Sequence, residues 1–88
     1  MTTQFVTEYL DKKMEDDENY IVATFYDLKV HHNLSDDELQ VFLQLAQTKL
    51  VNMRYLVYFT GARYRYKNEE KIVESNEVMV AIKDEIEE

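Results

Sequence analysis

The sequence predicts a small α/β (α+β) domain spanning residues 1–88, with three N-terminal helices, a β-hairpin and an extra C-terminal helix. Three observations carry this expectation. Apolar residues recur at helical spacing through the first half of the chain. A helix-start signal stands at Ser35-Asp36-Asp37-Glu38. After Asn52 the hydrophobic period drops to two, around the one glycine of the chain, Gly61.

The first helix runs from about Gln4 to Met14. Phe5, Val6, Tyr9, Leu10 and Met14 form its apolar stripe, with Glu8, Asp11 and Lys12 facing outward. Thr2 or Thr3 can cap it, and the acidic run Glu15 to Glu18 ends it, because like charges in the last turn oppose the helix dipole. Tyr20 to Thr24 is β-prone. Phe25 to His32 is read as a short helix begun by Thr24, although Ile21, Ala23 and Phe25 would also line one face of a longer strand. In the capping box that follows, Ser35 takes an orphan amide while Glu38 reaches back, and Leu34 staples against Leu39. That helix continues to about Val51, burying Leu39, Phe42, Leu43, Ala46 and Leu50 and leaving Gln40, Gln44 and Gln47 wet. Arg54 to Thr60 and Ala62 to Lys67 read as a hairpin about Thr60-Gly61, with Tyr55, Val57 and Phe59 on one face and Leu56 and Tyr58 on the other. Asn68 to Lys71 reads as a polar turn. A last helix, capped by Ser75 or Asn76, is expected over 77–87 on a narrow stripe of Val78, Ala81, Ile82 and Ile86, with a loose acidic end.

Composition narrows the function classes. The chain has no cysteine, so disulfides and thiolate zinc sites are excluded, and a reducing compartment such as the cytoplasm is the expected location. No signal peptide or membrane-spanning run is legible. One glycine leaves no room for a phosphate-cradling loop. The net charge of -8 repels free nucleic acid and draws the protein towards basic partners. It is unevenly spread: residues 1–19 carry six acids and two bases, 20–67 four acids and six bases, and 68–88 eight acids and two bases.

The order of helix, short strand, short helix, capped long helix and hairpin resembles the winged helix-turn-helix superfamily over roughly residues 3 to 67. Phe25 to His32 would be the scaffold helix, Asp36 to Leu50 the recognition helix, and Thr60-Gly61-Ala62 the tip of the wing. The resemblance implies duplex DNA as a partner, with Gln40 and Gln44 reading base edges and Arg63, Arg65 and Lys67 pairing with phosphates. Against that stand Asp36, Asp37 and Glu38 at the entry to the recognition helix, where they would face a negatively charged groove.

The preferred expectation is therefore a non-enzymatic regulator that binds another protein, one with a basic surface such as a nucleic-acid-binding protein. It would use Asp36, Asp37 and Glu38 together with Tyr58, Tyr64 and Tyr66. The acidic runs Glu15 to Glu18 and Asp84 to Glu88 would imitate nucleic acid in the basic groove of such a partner, and small acidic, aromatic-rich chains of this kind resemble phage- or plasmid-encoded inhibitors of host enzymes. Self-pairing through 77–87 would give a homodimer. No catalytic residue, cofactor or metal is expected: Ser35 is used as a cap, and His31-His32 with Asp27 and Asp36 is the nearest approach to a zinc donor set.

Overall fold

The segment expected as a C-terminal helix is the central strand of the molecule. A computed structural model describes residues 3–84. In chain order it has α1 (Thr3–Asp16), β1 (Tyr20–Thr24), a π-helical segment (Tyr26–His31), α2 (Asp36–Asn52), β2 (Tyr55–Phe59), β3 (Arg63–Tyr66), β4 (Glu69–Ile72) and β5 (Glu77–Lys83). Thr2 and residues 85–88 lie outside the described residues, so the expected Thr2 cap and acidic end are not placed. No helix among the described residues is long and apolar enough to cross a membrane.

β5 pairs antiparallel with β1 on one side and with β2 on the other, giving the order β1-β5-β2. The reason lies in its five consecutive apolar residues, Val78 to Ile82, all buried. A helical stripe needs only Val78, Ala81 and Ile82, and leaves Met79 and Val80 in water. A central strand covered on both faces uses every one of them. Ser75 and Asn76 form a turn rather than a helix cap.

The alternation of side chains then builds three layers. Ile21, Ala23, Met79 and Ala81 face α1 and α2, packing with Val6, Leu10, Phe42, Ala46 and Leu50. Val80 and Ile82 face the opposite way, with Tyr20, Val22 and Tyr58, and are covered by Tyr64, Tyr66 and Val73 from the β3–β4 hairpin and its exit. The capping box forms as expected: the Ser35 hydroxyl accepts from the Glu38 amide at 3.2 Å, and the Glu38 carboxylate accepts from the Ser35 amide at 2.9 Å.

These findings overturn the winged-helix expectation. β2 does not pair with β3, so no wing is built on Thr60-Gly61-Ala62. Gly61, with φ of 87°, turns the chain from one sheet into a second, two-stranded one. β3 pairs forward with β4 through a turn at Lys67 and Asn68, whose φ values of 51° and 67° are those a tight primed hairpin turn requires. The stretch expected as a polar turn, from Glu69, is thus a strand. Among the described residues there are three helices, not four, and two separate sheets replace one hairpin. The DNA-binding alternative rested on that order and falls with it.

Candidate functional site

β2 is the outer strand of its sheet, and its backbone has two unlike sides. The Asp84 amide donates to the Arg54 carbonyl at 2.8 Å, which makes residues 54 and 84 a hydrogen-bonded pair. Alternation from that pair directs the backbone groups of Leu56 and Tyr58 at β5 and those of Tyr55, Val57 and Phe59 away from it. The strand reads Tyr-Leu-Val-Tyr-Phe, without charge or proline, and its pairing with β5 runs without a bulge. Such devices are what ordinarily protect an edge.

Its side chains are incompletely covered on both faces. Leu56 is 45% exposed, Tyr58 is half-buried on the same face, and Val57 and Phe59 are half-buried on the helix side. At the Tyr55 end the strand is anchored, since the Tyr55 hydroxyl donates to the Glu18 carbonyl at 2.5 Å. Burial, followed by the nearby charges of Glu18 and Asp17, raises the pKa of that phenol. The other edge, β1, is interrupted by an irregularity between Ala23 and Thr24 and runs straight into the π-helical segment.

The residues expected to bind a protein are differently placed. Tyr64 is buried, and Tyr58 and Tyr66 are half-buried. Tyr58 stacks on Tyr64 with ring centres 5.3 Å apart, and Tyr66 stacks on Tyr20 at 4.7 Å. The hydroxyls of Tyr20 and Tyr64 share a hydrogen bond of 2.8 Å, and burial followed by that bond raises the Tyr64 pKa. These tyrosines chiefly glue the hairpin to the sheet. Asp36 is ion-paired with Lys29, and Glu38 is held in the capping box, where its hydrogen bonds to the Ser35 backbone and side chain lower its pKa. Asp37 is exposed. Gln40 and Gln44 are exposed on α2, while Arg63, Arg65 and Lys67 are exposed on the hairpin, across the sheet from α2. The two halves of the expected DNA-contacting set therefore lie on opposite layers.

A cleft of about 450 Å³ lies between α1 and the π-helical segment, and it brings Asp27, His31 and His32 together. Their nearest ligand atoms all fall within 4.8 Å of one another. Asp36, the fourth member of the donor set weighed from sequence, is not among them. The Tyr9 hydroxyl donates to Asp27 Oδ2 at 2.6 Å, and Lys13 Nζ stands 3.9 Å from the same oxygen. Burial, then the bond to Asp27 and its charge, push the Tyr9 pKa up. The role of Tyr9 was missed in sequence, where it reads as one more member of an apolar stripe. No protein-family model, curated protein or solved structure matches this chain.

Proposed function

We propose that the chain is a non-enzymatic binding protein that takes a strand onto the free edge of β2, and that the strand comes from a second copy of itself. The observation that carries this is the uncharged, bulge-free β2, with the amides and carbonyls of Tyr55 and Val57 and the amide of Phe59 directed outward. The Phe59 carbonyl already accepts the Ala62 amide at 2.9 Å, which marks the end of the open edge. An antiparallel pair centred on Val57 is self-complementary. It sets Tyr55 opposite Phe59 of the second copy and Leu56 opposite Tyr58, with Val57 facing itself. Each residue keeps its face of the sheet, and Arg54 meets Thr60 and not another charge. Both apolar layers would then continue across the join. This replaces the pairing expected through 77–87, since β5 is enclosed between its two neighbours.

The test is the solution mass by sedimentation equilibrium over a wide concentration range, for the wild type and for Val57→Pro. Proline there removes an outward amide and no bond to β5, so the monomer keeps its fold. The proposal expects twice the 10.6 kDa chain mass for the wild type and a monomer for the variant. It also expects pairing to strengthen with salt, because two chains of charge -8 repel. A wild type that stays monomeric throughout, or a variant that still pairs, overturns it.

A second surface is favoured by a separate observation and serves the expected basic protein partner. Glu8, Asp11 and Glu15 are exposed at three- and four-residue spacing along the outer face of α1. Charge-steered binding to a cationic oligo-lysine probe should weaken as salt rises and should be lost when these three are changed to lysine. Unchanged binding in that variant removes α1 from the interface.

A further inference from the structure

We propose that Asp27, His31 and His32 form a binding site for a divalent first-row transition ion, with Zn²⁺ as the probe. The argument begins with the helix type. In an α-helix, residue i+4 shares the face of residue i, at about 40° round the axis, but i+5 is turned about 140° away. Wider π-helical turns, closed by i→i+5 bonds, bring residue i between i+4 and i+5. The His32 amide donates to the Asp27 carbonyl at 3.0 Å, so this turn is π-helical at the residues concerned. Asp27, His31 and His32 stand at i, i+4 and i+5 and open on one cleft.

The donor chemistry is two imidazole nitrogens and one carboxylate oxygen. That set suits zinc and its first-row neighbours and does not suit the all-oxygen shells of calcium or magnesium. Ligand atoms on a tetrahedral zinc ion, at bond lengths of about 2.0–2.1 Å, lie roughly 3.3 Å apart. The atoms here are already within 4.8 Å, and both histidines are exposed, so side-chain rotation closes the gap. The three ligands leave a fourth position to water, for which the cleft has room.

The surroundings resemble an outer coordination shell. The Tyr9 hydroxyl holds Asp27 by Oδ2, leaving Oδ1 for the ion. The His32 ring is held edge-on by Phe5, at 5.2 Å between centres, and by Tyr9, at 5.6 Å. Lys13 is the cation now nearest Asp27, and a metal ion would take its place. Its side chain is about one-third exposed and can swing into solvent.

The experiment titrates the full-length chain with Zn²⁺ and follows the ring signals of both histidines by NMR, with calorimetry for stoichiometry and affinity. One equivalent should bind, moving the His31 and His32 signals together. His31→Ala and His32→Ala should each weaken binding by about tenfold or more, since even loss of an outer-shell partner has that effect. Both positions are exposed, so the variants retain the fold and a loss of affinity reports on ligation. No saturable binding up to millimolar Zn²⁺ would overturn the proposal. So would wild-type affinity retained in both variants, which would assign the ion to acidic residues elsewhere.

Discussion

Truncating Val80 to alanine separates the two accounts of the C-terminal segment. In the helical account, the stripe of Val78, Ala81, Ile82 and Ile86 leaves Val80 on the wet side, and the change costs nothing. In the structure, Val80 has 0% exposure and lies between Val22 and Tyr58, under the hairpin residues Tyr64 and Val73. The substitution removes two methyl-sized groups, about 1.6 kcal/mol of transfer free energy at ~0.8 kcal/mol each. The cavity left under a rigid tyrosine layer raises the cost to about 2–3 kcal/mol. For a domain of this size that lowers Tm by roughly 8–24 °C, at 4–8 °C per kcal/mol. Urea unfolding measures the free energy directly, and an unchanged m-value shows that the unfolded state has not altered. Val51→Ala on α2, at a residue 52% exposed, is the control and should stay within about 0.5 kcal/mol. A Val80→Ala cost no larger than that control would refute the central placement of β5.

Two further predictions concern a cap and the phenols. Ser35→Ala removes the hydroxyl that accepts the Glu38 amide and should destabilise the chain by about 1 kcal/mol, measured by urea unfolding. No loss would show that the capping box contributes nothing to stability. Tyr9, Tyr55 and Tyr64 all have pKa values raised above the ordinary 10.0, mainly by burial. The unfolded chain therefore releases its phenol protons first as pH rises. Stability is fully present below about pH 10 and falls above it. Tyr9→Phe should flatten that alkaline decline, followed by denaturation at a series of pH values, and an unaltered slope would remove Tyr9 from it.

Much of the local structure was legible in the sequence, and most of the pairing was not. α1, β1, the capped α2 and the two faces of β2 follow from periodicity and end signals, which act over a few residues. The misplacement of β5 arose because Val78, Ala81 and Ile82 satisfy a helical stripe and a buried strand alike. Length and the unbroken apolar run favour the strand. The hairpin was misplaced because Gly61 gives the stronger turn signal, while the turn that closes β3 onto β4 uses Lys67 and Asn68, a pair less typical of positive φ than Asn-Gly. That shift changed the meaning of the tyrosines: Tyr64 and Tyr66 sit beneath the hairpin because its inner face is the one turned towards β5. The Asp27–His31–His32 cleft depends on a π-helical turn, which hydrophobic spacing does not reveal.

The most direct test of the open β2 edge is amide hydrogen exchange, residue by residue, at low and high protein concentration. The account predicts slow exchange at Leu56 and Tyr58 under both conditions. Exchange at Tyr55, Val57 and Phe59 should be fast in dilute solution and slow once copies pair. Protection of Val57 that does not change with concentration, whether high or absent, would contradict an open edge that takes up a second copy.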